Sequence, residues 1–360
     1  MNQDFSKDEV LTEIRGSLGH ITLNRPKALN ALTLEMIRQI CGTLRQWEKN
    51  PDVRAVLFTG AGERAFCAGG DVKAFHRAGM AYRRGNISQP VSAMFFAEEY
   101  SLNRQIFHYP KPTVAFMDGI VMGGGYGVGG NCAHRIVSEK TLFAMPETGI
   151  GFFPDVGAVF HLLRAPQNLG KYLALTAAQI GAADVLQAKL AEYFVPSNQK
   201  EELIAALASG GDVRNTIAGF HEDKAGEGAF AKNAERIERN FNYPTLEKIL
   251  RSLAEDTSPF ALETLGLIES RSPTSVMVTA EHLRRAEGKS FDEVIANDFI
   301  LAQRFLERGD FYEGIRAAVI DKDRKPRWDP AGFDGVNSEV VEAHFAPTGH
   351  NLGDVRLFAR

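Results

Sequence analysis

Two acids stand in one of the least polar stretches of the chain. Residues 143–157 read FAMPETGIGFFPDVG, and Glu147 and Asp155 are the only charged side chains among them. Carboxylates seldom lie among apolar residues unless they are paired or used, and an apolar wall raises their pKa toward values useful in acid/base chemistry. By residue type alone another reading is equally open, with Asp155 capping a helix that starts near Pro154 and Glu147 making a solvated turn. Two glycine-rich segments offer a different chemistry. Ala65–Asp71, AFCAGGD, sets two glycines before an Asp suited to start a helix, and Met122–Gly127 reads MGGGYG. Glycine lets a backbone N–H point outward with no side chain in the way. Two such donors at one end of a sheet would form an oxyanion hole, each worth roughly 3–4 kcal/mol in a transition state. Taken singly, each segment is equally a packed turn. The second lacks the Gly-Lys-Ser/Thr of a phosphate loop, and it fits a dinucleotide fingerprint poorly in strand, spacing and downstream acid.

These residues need elements to hold them, and the pattern from Ile14 to about residue 150 alternates strands with helices. His20–Leu23 reads as a strand. Thr33 is placed to cap a helix whose Leu34, Ile37, Ile40, Cys41, Leu44 and Trp47 form one stripe. Val53–Thr59 reads as a buried strand that runs into the glycine-rich loop Gly60–Asp71. A helical stretch ends near His108, Thr113–Met117 is another strand, and Gly119–Gly130 then holds seven glycines. Arg135–Ser138 is a further short strand. Repeated strand–loop–helix units predict a parallel sheet with its loops gathered at one end. Helices are predicted for 154–164, for 176–190 with Thr176 as N-cap, and for 201–208, 245–256, 275–287 and 291–308. A soft boundary falls at 200–235, giving a core over 1–230 and a mainly helical region over 231–360.

Bulk properties narrow the function. The 360 residues are 44% hydrophobic and 24% charged, as in ordinary globular proteins. A net charge of −4 argues against nucleic acid or an anionic membrane as partner. Cys41, Cys67 and Cys132 are scattered with no metal-binding spacing, so neither disulfides nor a metal site are expected. The opening MNQDFSKDEV matches neither a secretory signal nor an Arg-rich transit peptide, and the expected location is cytoplasmic. No HExxH or nucleophile-triad setting surrounds the nine histidines. His134 and His161 read as structural, and Met122 and Met145 as packing.

In order and spacing the three loops resemble the crotonase (enoyl-CoA hydratase/isomerase) superfamily, and within it the 3-hydroxyisobutyryl-CoA hydrolase branch. The likeness runs through LNRPKALNALTLEMIRQI, AFCAGGDVKAF, GIVMGGGYGVGG, EKTLFAMPETGIGFFPDVGA and YLALTAAQIGAADVLQAKLAEYFV. It reaches EGIRAAVIDKDRKPRWDP, beyond the usual length of hydratases, so it covers nearly the whole chain. The resemblance implies an α/β fold, a crotonase-like spiral of ββα units with an extended C-terminal helical region. It implies oxyanion-hole donors at the N–H groups of Gly70 and Gly124. Hydratases use two glutamates; here the first position is Gly127, which cannot do acid/base work, and the second matches Glu147. Eight residues further on, where hydratases carry glycine, stands Asp155, as in the hydrolase branch. Tyr126 and Gly127 leave space or a hydroxyl where the missing glutamate would be.

The expected function is hydrolysis of a small 3-hydroxyacyl-CoA thioester, foremost 3-hydroxyisobutyryl-CoA in valine degradation, with an enoyl-CoA hydratase/isomerase as the alternative. Glu147 is the expected general base or nucleophile. Asp155 is assigned to the substrate hydroxyl, the water or proton delivery to the thiolate. Lys27 and Lys73 are candidates for the CoA phosphates, or else plain surface lysines. No cofactor is expected, since coenzyme A is part of the substrate. A homo-oligomer is a further expectation, with the longer C-terminal helices as candidates to cover that surface.

Overall fold

The computed structural model describes residues 8–86, 91–223, 225–348 and 352. The N-terminal residues 1–7, read above for a targeting signal, lie outside the described residues. Two compact units divide the chain, each discontinuous in sequence. The first comprises Met1–Gly70, Leu102–Phe143 and Ile180–Gly228, and the second Asp71–Ser101, Ala144–Gln179 and Ala229–Arg360.

In the first unit, β1 (Val10–Arg15) and β2 (Leu18–Leu23) form a hairpin in antiparallel register. Parallel pairing then adds β3 (Ala55–Gly60). The paired strands β4 (Ala65–Cys67), β5 (Thr113–Met117), β6 (Ile120–Met122), β7 (His134–Val137), β8 (Leu142–Ala144), β9 (Ile180–Gly181) and β10 (Tyr193–Phe194) complete two sheets. One sheet has the order β1-β2-β3-β5-β7-β10 and the other β4-β6-β8-β9. The pairs β3/β4, β5/β6 and β7/β8 thus give their first strand to one sheet and their second to the other, the ββα repeat of the spiral. β3 and β5 are buried at every position, which is why they read as continuous apolar runs rather than alternating ones. Thr33 caps the helix Leu34–Lys49 by accepting from Met36 N, and the buried residues Met36, Ile37, Ile40, Cys41, Leu44 and Trp47 follow the expected stripe closely. Trp47 lies so close to β2 that a Cβ on Gly19 would come within 2.5 Å of its ring.

Helices dominate the second unit: Val72–Arg83, Ala229–Phe241, Leu246–Glu255, Pro259–Glu269, Pro273–Ala286, Phe291–Glu307 and Ser338–Phe345 all contribute. The helix Val91–Phe107 gives it residues up to Ser101. Two predicted helices are corrected. The one expected over 154–164 is only Ala158–Leu162, because Val156 (φ 56°) and Gly157 (φ 76°) are left-handed and cannot extend it toward Pro154. The one expected over 176–190 with Thr176 as cap is split. Thr176 instead ends the helix Leu169–Thr176, where its Oγ1 donates to Tyr172 O at 2.6 Å; β9 and the helix Ala182–Gln187 follow.

Candidate active site

The glycine loops converge within the first unit. Because β4 and β6 pair in parallel, the segments after Cys67 and Met122 leave the sheet side by side. Leu29–Leu32 brackets the first loop: Ala68 N donates to Leu29 O at 3.0 Å, and Leu32 N to Gly69 O at 2.8 Å. Gly69 has φ +102°, and a Cβ there would lie 3.1 Å from Met122 O and 3.6 Å from Gly124 N. A Cβ on Gly125 would fall 2.1 Å from Cys67 O, a clash against backbone that cannot give way. The glycines therefore serve close approach of two backbones. Gly124 opens the helix Gly124–Gly129, where N–H groups have no intrahelical acceptor. Gly70 is half-buried and Gly124 buried.

Tyr126 decides one alternative. Its ring is buried edge-on to Phe143 at 5.0 Å, and its hydroxyl donates to Leu190 O at 3.4 Å. Burial pushes the phenol up to about 12. The Tyr126 hydroxyl is thus engaged in the core of this unit, and it is not a stand-in for the missing glutamate.

The acids belong to the second unit. Glu147 opens a 3-10 turn, Glu147–Ile150, that ends at left-handed Gly151; a Cβ there would lie 2.2 Å from Asp310 O. Far from making a solvated turn, Glu147 is 5% exposed, and its Oε2 is buried without a hydrogen-bond partner among the described residues. Phe152 and Phe153 anchor the next segment. Phe152 packs against Phe96 and Phe311, each at 5.1 Å, and Phe153 stacks on Phe305 at 5.4 Å. Asp155 does not cap the following helix by its side chain, for the N-cap is Gly157 and the carboxylate is 4% exposed. Its Oδ2 accepts a 2.6 Å hydrogen bond from the Tyr100 hydroxyl. Val156, β-branched yet left-handed, is a strained position that only a well-determined surround maintains.

Three residues not picked out by sequence complete this cluster. Tyr100 and Glu99 come from one helix, and Glu99 is 2% exposed with an Oε1 that has no partner among the described residues. Asp298 lies on Phe291–Glu307, fully buried, where it accepts from Gly157 N at 2.8 Å and contacts His282 Nε2 at 2.8 Å. A signal for the first two was present: Glu98-Glu99-Tyr100 interrupts an otherwise apolar run, FFAEEY.

Burial drives the electrostatics. It raises Glu99 and Glu147 well above the usual carboxylate range, and the charge of Asp155 adds to the rise in both. Asp155 is pushed up to about 7 by burial, opposed by the Tyr100 hydrogen bond and assisted by the Asp298 charge. Clustered buried acids cannot all ionise, so they titrate as a group that retains protons near neutrality. Such a group can both take and give a proton, the requirement for general acid/base catalysis.

Lys27 is exposed on the short turn Pro26–Ala28 of the first unit. Lys73 is exposed in the first turn of Val72–Arg83 in the second.

The chain is similar to known proteins along almost all its length. A family model described as enoyl-CoA hydratase/isomerase matches residues 18–345. A mitochondrial 3-hydroxyisobutyryl-CoA hydrolase of Rattus norvegicus is 42% identical, over 97% of this chain and 91% of that protein. Its Homo sapiens counterpart is 40% identical, over 95% and 89%. Among solved structures, a carnitinyl-CoA dehydratase from Mycobacterium thermoresistibile superposes with a TM-score of 0.89 at 38% identity, over 97% of this chain and 99% of that one. An enoyl-CoA hydratase from Rhodobacter sphaeroides 2.4.1 gives 0.87 at 38%, over 95% and 98%. The relatives' mitochondrial names overturn the cytoplasmic location expected from the sequence. That expectation leaned on the opening residues, whose composition is a weaker guide than relatives matched along the whole chain.

Proposed function

The chain belongs to the enoyl-CoA hydratase/isomerase family, and from that premise we propose that it hydrolyses 3-hydroxyisobutyryl-CoA to 3-hydroxyisobutyrate and coenzyme A. The observation that carries this reading is the pairing of Glu147 with a second buried acid, Asp155, in a chain whose glycine-rich helix has Gly127 and no carboxylate. Adding water across a double bond wants two acids, one of them at that helix. Cleaving a thioester wants an oxyanion stabilised, a nucleophile at the carbonyl carbon and a proton for the leaving thiolate.

In this proposal the N–H groups of Gly70 and Gly124 hold the thioester oxygen as it becomes an oxyanion. Glu147 acts on the carbonyl carbon, either by drawing a proton from water or by direct attack that leaves a mixed anhydride for water to open. In both routes it works as the carboxylate, so its proton must first pass to solvent or to another acid of the buried group, and burial makes the resulting carboxylate a strong base. Asp155 has the complementary task. Held near 7, it carries a proton in about half of the molecules at neutral pH and delivers it to the coenzyme A thiolate. Because Tyr100 donates to Oδ2, Oδ1 is left to carry that proton. Lys27 and Lys73 are proposed to meet the CoA phosphates. The reading calls on no cofactor, coenzyme A entering as part of the substrate, and assembly as a homo-oligomer is carried forward as a proposal.

A hydratase reading has one observation in its favour, the dehydratase and hydratase names of the two well-superposed structures. Crotonyl-CoA and 3-hydroxyisobutyryl-CoA, offered separately, discriminate. Hydrolysis predicts free thiol from the second and little loss of the double-bond absorbance of the first. Rapid hydration of crotonyl-CoA with no thiol from 3-hydroxyisobutyryl-CoA overturns the proposal.

A further inference from the structure

The C-terminal helices contribute a polar chain, buried at His282 and Asp298 and partly buried at Asn297, that the proposed reaction does not itself use. Asn297 Nδ2 lies 3.0 Å from His282 Nδ1, His282 Nε2 lies 2.8 Å from Asp298 Oδ1, and Asp298 Oδ2 accepts from Gly157 N at 2.8 Å. The amide N–H of Asn297 donates to Nδ1, so the ring proton sits on Nε2 and points at Asp298. Asp298 and His282 are each no more than 1% exposed, and Phe153 packs edge-on to the imidazole at 5.9 Å. Burial raises the Asp298 carboxyl above its ordinary range, and the two donors directed at it oppose that rise and favour its ionised form, two residues' length of backbone from Asp155. On another side, the Tyr100 hydroxyl reaches the Asp155 carboxylate directly.

We propose that Tyr100 and Asp298 are opposed positioning residues that together set when Asp155 holds its proton, with His282 fixing Asp298 in place. This deepens the proposed function and rests on it for the role of Asp155, though not for the geometry. Tyr100 donates, and a donor favours the ionised form of its acceptor. Asp298 is a like charge in a dry setting, and it favours the protonated form. Burial and the surrounding acids keep the Tyr100 phenol well above its ordinary range, so it remains a donor throughout. The ionisable groups that bear on Asp155 are Tyr100 and Glu99 from the helix Val91–Phe107, Glu147 from the preceding turn, and Asp298, backed by His282, from the C-terminal helices. Asp298 also clamps the peptide at Gly157, so it fixes the loop as well as its charge state.

The test compares Tyr100→Phe, Asp298→Asn and the double variant. The Asp155 carboxyl is titrated by infrared difference spectroscopy against Asp155→Asn, and thiol release is followed across pH. Tyr100→Phe should move the Asp155 titration upward and Asp298→Asn downward, each by roughly one unit, and the double variant should return toward wild type. The pH profile of thiol release should move in the same opposite senses. Shifts of one sign in both variants, or none, overturn the proposal, because a purely structural role lowers Tm without reversing sign. Tyr100→Phe removes one hydroxyl and keeps the ring, so its predicted upward shift is decisive even where Asp298→Asn does not fold. Spectroscopic shifts of the predicted signs without thiol release would uphold the tuning and sink the hydrolase reading; thiol release with unmoved titrations would do the reverse.

Discussion

Two groups of acids in the second unit behave in opposite ways. Around Arg316, the carboxylates of Glu313, Asp321 and Asp323 accept from one guanidinium, with contacts of 2.7 to 2.8 Å. They lie toward solvent, and the Arg316 hydrogen bonds hold Glu313 and Asp323 below their ordinary values. Around Asp155 the neighbours are other acids and a tyrosine, the carboxyls are buried, and those of Glu99, Glu147 and Asp155 are raised. The same side chains are ordinary anions in one place and, in the other, are raised by burial toward their protonated forms. What distinguishes them is a cation in reach and access to water. A cluster built for stability neutralises its charges; one built for proton transfer leaves them in conflict.

The sharpest way to break that contrast is Glu147→Gln. It should lower thiol release by about 10³-fold or more, while thermal melting at pH 8 shows a Tm equal to or above wild type, since an acid costly to bury has been made neutral. A large fall in Tm with activity retained would place Glu147 among structural residues. Asp155→Asn should cost about 10²–10³-fold in thiol release, and its amide still accepts from Tyr100.

The next effect is on stability. Asp155 has its folded pKa raised from 3.8 to about 7, so the folded state binds the extra proton between those values. The Asp155 contribution to stability therefore falls as pH rises from about 4 to 7 and is lost above that, by a few kcal/mol at roughly 1.4 kcal/mol per unit. Urea unfolding across this range should show that slope, reduced in Asp155→Asn; equal slopes in the two proteins would contradict the burial of this charge. Glu313 has the opposite sign. Its folded pKa is lowered, so its contribution is present above its unfolded value and lost as pH falls through the folded one. Glu313→Gln should change Tm by only about 1–2 °C, less in high salt, and leave thiol release unaltered.

The sequence made different parts of this molecule legible to different degrees. Thr113–Met117 and the stripe from Leu34 to Trp47 were readable because burial leaves a local pattern, and Thr33 because a cap acts over three residues. The glycine loops were readable for a similar reason, since close approach to Cys67 O excludes a side chain at Gly125. Thr176 was misread because a hydroxyl suits the start of a helix and, bonding backward, its end. The run FFAEEY marks Glu99 and Tyr100, but nothing local ties them or Asp298 to Asp155. Tyr100 lies 55 residues before it, and Asp298 reaches Gly157 across 141 residues. Such contacts arise from helix packing that periodicity does not report. The apolar setting of Glu147 and Asp155 left a cap and a turn equally open and the resemblance chose the working pair, but neither reported the competition that sets their protonation.

The most direct test of the account is thiol release from 3-hydroxyisobutyryl-CoA by the wild-type protein and Glu147→Gln, measured side by side at neutral pH. The account predicts turnover by the first and a loss of about 10³-fold or more in the second, with both folded. No turnover by the wild type, or equal rates in the two, would contradict it.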